Sequence, residues 1–127
     1  MNDLTLLYIE DDYDQIENVT FLLARYVKNI YTAVDGEEAL EKYFKYKPDI
    51  IVSDISIPKI DGLSVAKKIR EDAKEIPIIM MTAHRDSDRL LKAIDIGVSS
   101  YVTKPFTLVK LKEAIEKAIV SKGDLKK

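Results

Sequence analysis

The chain has 127 residues, enough for one hydrophobic core and one domain. Its formal net charge is −2, which argues against the strongly basic face of a nucleic-acid-binding protein, and the absence of cysteine excludes disulfides and thiolate metal sites. No apolar run approaches the roughly 18 residues of a membrane span, and the N-terminus lacks the features of a signal peptide. We therefore expect a cytoplasmic protein that binds neither membranes nor nucleic acid directly.

The first half of the chain alternates strand and helix patterns. Leu4–Ile9 is a continuous apolar run apart from Thr5, typical of a parallel strand covered on both faces. A helix follows, with an apolar face formed by Ile16, Val19, Leu23, Tyr26 and Val27. The mixed segment Asn29–Ala33 is predicted as a strand nearer a sheet edge. Asp35, with Glu38 three residues later, indicates a capping-box start for the second helix.

The second half repeats this alternation. Ile50–Ser53 and Pro77–Thr82 are predicted as buried strands, and Ser100–Thr103 as a shorter strand nearer an edge. Helices are predicted around Leu63–Ile69 and Leu90–Ile94, the latter ending at Gly97. The last helix is marked by Leu108, Leu111, Ile115 and Ile119. We assign residues 1–122 to the domain and residues 123–127 to a polar, frayed tail.

Five β–α units in strict alternation predict a doubly wound α/β fold, a five-stranded parallel sheet between two layers of helices. Ligands bind such sheets beyond the carboxyl ends of the strands. The residues found there are Glu10–Asp12, Asp54, Thr82 and Lys104.

These strand ends carry the groups that phosphoryl chemistry needs. The carboxylates of Asp11, Asp12 and Asp54 are hard oxygen ligands that suit Mg²⁺, for which Mn²⁺ can substitute. Lys104 can pair with a phosphate, and the Thr82 hydroxyl can donate to a phosphoryl oxygen. Together they predict a phosphoryl-transfer site, in which an aspartate carboxylate can be the nucleophile.

Each of these residues alone also has a structural explanation. Asp11 and Asp12 could cap a helix, and Asp54 could belong to a turn. Thr82 suits a strand as a β-branched residue, and Lys104 could be a solvated surface side chain. Their combination at four strand ends favours the functional interpretation.

Four stretches of the sequence match the motifs of a known protein family. They are the acidic IEDD, the segment DISIPKIDGL, the strand end MMTA and GVSSYVTKPF. In the second of these, Pro58 and Gly62 complete the pattern DxxxPxxxG that begins at Asp54. With these motifs the chain resembles the receiver domain of bacterial two-component response regulators over essentially its whole length. The resemblance implies the flavodoxin-like strand order 2-1-3-4-5.

The resemblance also implies a role for each site residue. Asp54 is the expected phosphoacceptor, supplied by a sensor histidine kinase or a phosphotransfer protein. The carboxylates of Asp11, Asp12 and Asp54, with the backbone carbonyl of Ser56, are the expected Mg²⁺ ligands. Lys104 is the expected phosphate-pairing lysine, with a cis bond to Pro105.

Thr82 and Tyr101 are the expected switch pair. In the family the hydroxyl moves toward the phosphoryl group and the aromatic ring turns inward, which reshapes the surface of the fourth helix, fifth strand and fifth helix. The ring of Tyr101 could also simply lie at a strand edge, as an amphipathic residue does. We expect a signalling domain rather than an enzyme, acting on a downstream target protein or on an output domain absent from this chain.

Some positions depart from the family pattern. Residues that often form dimer salt bridges in DNA-binding relatives are replaced by Ser99, Ser100, Lys110 and Ala114, so we expect a monomer or a weak phosphorylation-dependent dimer. Ser56 and His84 occupy the two positions linked in the family to the lifetime of the phosphoryl group. His84 is either an exposed loop residue or one that controls the access of water.

Three alternatives remain at the level of sequence. A flavin-binding module of the same fold would need a phosphate-binding loop where the acidic EDD would repel a phosphate. An aspartyl phosphatase would need a second aspartate where Ser56 stands. A receiver-like interaction module that does not use phosphorylation would not need the complete set of site residues.

Overall fold

The computed structural model describes residues 3–83 and 87–126, with side chains described through residue 120. In this part of the chain five strands alternate with five helices, which confirms the predicted α/β class. The strands are β1 (Thr5–Ile9), β2 (Asn29–Ala33), β3 (Ile50–Asp54), β4 (Ile78–Thr82) and β5 (Ser100–Thr103). The helices are α1 (Tyr13–Leu23), α2 (Gly36–Tyr46), α3 (Gly62–Asp72), α4 (Ser87–Ile96) and α5 (Leu108–Lys126).

All strand pairs are parallel, and the order in the sheet is β2-β1-β3-β4-β5, as the resemblance implied. The apolar strands β3 and β4 are buried along their whole length, whereas β2 and β5 are partly exposed edge strands. The chain order reverses between β1 and β3, where Ile9 pairs with Ser53. The next residues, Glu10 and Asp54, therefore emerge side by side at the carboxyl edge of the sheet.

The alternation of side chains along each strand gives the sheet one apolar core on each face. Leu7 and Ile9 of β1 belong to the core that packs against α2, α3 and α4. Leu6 and Tyr8 belong to the opposite core, against α1 and α5. Burying an aliphatic side chain of this size contributes roughly 1.5–3 kcal/mol, so the two cores hold the strand ends in fixed register.

Aspartate side chains begin the first three helices. Asp12, Asp35 and Asp61 each accept hydrogen bonds from backbone N–H groups of the first turn. At α2 the Glu38 N–H donates to Asp35 Oδ1 over 2.8 Å, and Glu38 Oε1 accepts from the Val34 N–H over 2.7 Å. This reciprocal pair agrees with the capping box predicted from sequence, displaced by one residue on the return bond.

Two helix boundaries differ from the expectation. Helix α1 ends at Leu23, so the prediction that Tyr26 and Val27 continue it was wrong. The N–H groups of both residues donate to the Leu23 carbonyl in a turn, while Val27 still reaches the core. At the other end α5 continues through Lys126, where a frayed tail from residue 123 was expected. None of the helices in the described residues has the length and apolar character that crossing a bilayer requires.

Candidate functional site

Glu10, the residue after β1, is a buried carboxylate with a full set of donors. Its Oε2 accepts from the N–H groups of Asp11 (3.1 Å) and Asp12 (3.3 Å), and the Gln15 side-chain amide donates to its Oε1. Only 1% of Glu10 is exposed. Burial, reinforced by the negative charge of Asp54, raises the pKa of Glu10 to about 7.

Asp54, the last residue of β3, has a different partner on each carboxylate oxygen. Oδ1 accepts from the Ser56 N–H over 3.0 Å, and Oδ2 accepts from the ammonium of Lys104. The same ammonium lies 3.6 Å from Glu10 Oε1. Asp54 is almost fully buried yet lies at the open end of the sheet, where a nucleophile must lie. Its carboxylate is thus oriented before any ligand arrives.

Lys104 reaches the site from the residue after β5. Its backbone N–H donates to the Thr82 carbonyl over 2.6 Å, which ties it to β4, and its bond to Pro105 is cis, as the resemblance implied. Burial lowers the pKa of Lys104, but its hydrogen bond to Asp54 and the charges of Asp54 and Glu10 outweigh burial, so the pKa is raised. Lys104 is therefore a permanent cation in this site.

The carboxylates that gather are Glu10, Asp11 and Asp54, whose oxygens lie within 4.8 Å of one another. This differs from the expected set, which had Asp12 in place of Glu10. The Asp12 side chain instead caps α1, because its Oδ1 accepts from the N–H groups of Asp14 (3.0 Å) and Gln15 (3.3 Å). Three clustered carboxylates, two of them paired with the Lys104 ammonium, suit a divalent cation with oxygen ligands.

The loop between β3 and α3 is held on the side of α2 by short backbone contacts. The Gly36 N–H donates to the Pro58 carbonyl over 3.1 Å, and a Cβ at Gly36 would lie 1.9 Å from the Ile60 carbonyl oxygen. The Gly62 N–H donates to the Ile55 carbonyl over 3.1 Å, and a Cβ there would lie 2.6 Å from the Asp54 carbonyl oxygen. This close approach is the physical reason for the glycine in DxxxPxxxG.

On the side of α4 the same loop is held by Arg89. Its guanidinium donates to Ser56 Oγ over 2.6 Å and to the Ile55 carbonyl over 2.7 Å. The sequence placed Glu10 at the end of the first strand but not among the predicted metal ligands, and it did not single out Arg89. Glu10 was recognisable as the first charged residue after the buried strand, whereas nothing in the local pattern around Arg89 points to the loop it contacts.

The expected switch residues do not touch the carboxylate cluster in the contacts described. Thr82 is buried at the end of β4, and its Oγ1 donates to the Ala83 carbonyl over 3.3 Å. Tyr101 lies on the edge strand β5 with 48% of its surface exposed. His84 lies outside the described residues. Ser56, whose backbone carbonyl is the fourth expected ligand, is also the residue whose N–H donates to Asp54 Oδ1.

The family model of the response regulator receiver domain matches residues 6–116. This chain belongs to the response regulator receiver family. The match spans every site residue described above and favours the receiver over the flavin-binding and phosphatase alternatives. The acidic cluster and the sheet order accord with this assignment.

Known regulators resemble this receiver domain in sequence. It is 33% identical over 120 residues to the alkaline phosphatase synthesis transcriptional regulatory protein PhoP of Bacillus subtilis, covering 94% of this chain and 50% of PhoP. It is 38% identical over 117 residues to the transcriptional regulatory protein RprY of Bacteroides fragilis, covering 89% of this chain and 48% of RprY. The chain thus spans about half the length of these relatives.

Solved receiver structures superpose closely. A response regulator receiver domain protein from Clostridium thermocellum has a TM-score of 0.90 at 28% identity, covering 96% of this chain and 98% of that one. The chemotaxis response regulator CheY4 of Vibrio cholerae has a TM-score of 0.84 at 26% identity, covering 92% and 99%. The fold that carries the site is therefore the fold of these receiver structures.

Proposed function

We propose that this receiver domain accepts a phosphoryl group on Asp54 from the phosphohistidine of a sensor histidine kinase or a phosphotransfer protein. A carboxylate oxygen of Asp54 bonds to phosphorus, the P–N bond to the donor histidine breaks, and that nitrogen keeps the electron pair and is then protonated. The observation that carries the proposal is the buried Asp54 carboxylate, held at once by Lys104 and by the Ser56 N–H beside two more carboxylates.

The donor set fits Mg²⁺, with Mn²⁺ as a substitute. Glu10, Asp11 and Asp54 would hold the ion together with the Ser56 carbonyl. The Asp12 carboxylate caps α1 in this structure, and its role as a ligand stays a prediction from the family resemblance. When bound, the ion neutralises charge on the phosphoryl oxygens. The cluster carries more negative than positive charge among its own members, so a divalent cation would relieve the repulsion from Asp54 that adds to burial in raising the pKa of Glu10.

Lys104 would exchange one partner for another during the reaction. In the unphosphorylated domain its ammonium pairs with Asp54 Oδ2. Once that carboxylate becomes an acyl phosphate, the stronger negative charge lies on the phosphoryl oxygens, and the flexible lysine can follow it. The same residue thus neutralises the site before and after transfer.

The proposed output is a shift between two packings rather than turnover of an external substrate. The phosphorylated Asp54 would carry a charge of about −1.5 to −2 in place of the single negative charge of its carboxylate, and this charge attracts the Thr82 hydroxyl. The space that Thr82 leaves can admit the Tyr101 ring, now half exposed on β5. The altered surface of α4, β5 and α5 would then bind a downstream protein or an output domain. The relatives are about twice as long as the part that matches this chain, which leaves room in them for such a domain.

The test is the intact mass of the protein after incubation with acetyl phosphate, with Mg²⁺ or with EDTA. We expect a gain of one phosphoryl group that requires Mg²⁺ and is lost in Asp54→Asn. The matched control is Asp95→Asn, an exposed aspartate of α4, which should gain the group like the wild type. A folded protein that gains no mass would overturn the proposal and favour an interaction module that does not use phosphorylation.

A further inference from the structure

Arg89 lies in the first turn of α4 and contacts two successive residues of the loop after Asp54. Its Nη1 donates to Ser56 Oγ over 2.6 Å, and its Nη2 donates to the Ile55 carbonyl over 2.7 Å. A guanidinium presents its donors in a rigid plane, so it fixes the separation of two acceptors as the single ammonium of a lysine cannot. Arg89 therefore joins α4 to the acceptor loop at two points.

Helix formation does not explain an arginine at this position. Helix α4 begins at Ser87, so Arg89 places a cation near the positive end of the helix dipole, where acidic residues are favoured. The contacts with Ile55 and Ser56, one and two residues beyond Asp54, offset that unfavourable placement. The contacts of Arg89 with the acceptor loop therefore explain its position better than helix stability does.

The loop residue that Arg89 holds also orients the nucleophile. The Ser56 N–H donates to Asp54 Oδ1 over 3.0 Å, while the other carboxylate oxygen accepts from Lys104. A Ser56 free to move would let the Asp54 carboxylate rotate about the single remaining contact. Two consecutive hydrogen bonds, through Ser56, therefore connect Arg89 to the Asp54 carboxylate.

We propose that Arg89 is a positioning residue for phosphoryl acceptance. By holding Ile55 and Ser56 from α4, it fixes the orientation of the Asp54 carboxylate, and its charge attracts the anionic phosphodonor. This inference rests on the proposed function. It also ties α4 mechanically to the acceptor, so that loop and helix move together.

Arg70 supplies a matched control. Its Nε donates to the Gly97 carbonyl over 2.9 Å, and its Nη1 donates to the Ala73 carbonyl over 3.2 Å. This is the same kind of two-point contact between an arginine and main-chain oxygens, but these partners follow the carboxyl ends of α3 and α4, away from the acceptor loop. A purely structural role for Arg89 would make the two arginines behave alike.

The kinetic test measures initial phosphorylation rates against acetyl phosphate concentration at saturating Mg²⁺. We expect Arg89→Met to lower the maximal rate about five- to tenfold, the net worth of one ordinary hydrogen bond, and to raise the donor KM. Arg89→Lys should restore the donor KM through its charge but not the maximal rate. Arg70→Met should leave both values within about twofold. Wild-type rates in both Arg89 variants would overturn the proposal.

A second readout needs no phosphorylation. The exchange of the Ser56 amide proton with water, followed by NMR without Mg²⁺, should rise about fivefold or more in Arg89→Met and stay unchanged in Arg70→Met. An unchanged exchange rate in Arg89→Met overturns the proposal whatever the kinetics give. If the wild type takes no phosphoryl group, the proposed function fails, and this exchange still decides whether Arg89 holds the loop.

Discussion

The two sides of the carboxyl edge of the sheet differ in how far they are assembled. On the acceptor side, at β1 and β3, each buried oxygen of Glu10 and Asp54 already has a donor. On the switch side, at β4 and β5, the Thr82 hydroxyl turns to a neighbouring carbonyl and Tyr101 faces outward. The acceptor side thus has fixed contacts, whereas the two switch side chains can adopt other conformations.

This difference teaches where each part of the function resides. Acceptance of a phosphoryl group requires positioned groups, which the acceptor side has in advance. Signalling requires two arrangements of similar free energy, which a fully satisfied network could not provide. Substitutions on the acceptor side should therefore change stability strongly, and substitutions on the switch side should change it little.

Gly36→Ala should have the largest effect on stability. Its new Cβ would lie 1.9 Å from the Ile60 carbonyl oxygen, so the loop that supports the acceptor side must move. We expect the free energy of unfolding to fall by about 3 kcal/mol, as measured by urea denaturation. Glu41→Ala, an exposed substitution in the same helix, is the control and should stay within about 0.5 kcal/mol. Equal stability of the two variants would contradict the packing described.

Glu10→Gln should stabilise the protein at pH 8 in buffer with EDTA. The folded-state pKa of Glu10, about 7, lies above the ordinary 4.5, so folding favours the protonated carboxyl. Its stabilising contribution is complete below about pH 4.5 and is lost as the pH rises through 7. Glutamine mimics the protonated form, so the gain should be on the order of 2 kcal/mol at pH 8.

The gain from Glu10→Gln should disappear near pH 4.5. Denaturation at several pH values checks this, with Glu17→Gln, on the exposed face of α1, as control. A constant difference between Glu10→Gln and the wild type across the pH range would mean that the buried charge is not the cause.

Thr82→Val should have a smaller effect on stability but should abolish the response of Tyr101 to phosphorylation. The valine keeps the shape of a β-branched strand residue and loses one long hydrogen bond, so the free energy of unfolding should change by no more than about 1 kcal/mol. Phosphorylation should proceed, while the NMR signals of Tyr101 should no longer respond to it. Thr103→Val, which pairs with Thr82 in the sheet, is the control and should keep the response. If the Tyr101 signals still respond to phosphorylation in Thr82→Val, the proposed coupling between Thr82 and Tyr101 is contradicted.

Tyr101→Phe should have the smallest effect on stability. The ring lies half exposed on an edge strand, so removing its hydroxyl should change the free energy of unfolding by less than about 0.5 kcal/mol. The rate of phosphorylation should also stay at the wild-type value. A loss above about 1 kcal/mol would show that Tyr101 belongs to the assembled side and would remove the contrast.

Much of the scaffold could be predicted because it depends on local signals. Continuous apolar runs identified β1, β3 and β4, and mixed composition identified the edges. The location of Asp54, Thr82 and Lys104 at the carboxyl edge of the sheet could be predicted because each ends or follows a strand. The end of α1 was missed because Tyr26 and Val27 keep the apolar spacing of a helix after the backbone has left it.

Other features depend on contacts that no local pattern reveals. Asp12 is predicted as a metal ligand from its place in the acidic pair, and the sequence does not show that backbone N–H groups of α1 hold its carboxylate as a cap. Glu10 was not counted among the metal ligands, since only the structure shows its burial and its hydrogen bond from Gln15. The reach of Arg89 to Ser56 spans 33 residues of sequence.

The most direct test of the acceptor account is the location of the phosphoryl group after reaction with acetyl phosphate and Mg²⁺. Hydroxylamine cleaves an acyl phosphate, and tandem mass spectrometry of the peptides separates Asp54 from His84, the single histidine. We predict a hydroxylamine-sensitive group on Asp54 alone. A phosphoryl group on His84, or on any residue in the Asp54→Asn variant, would contradict the account.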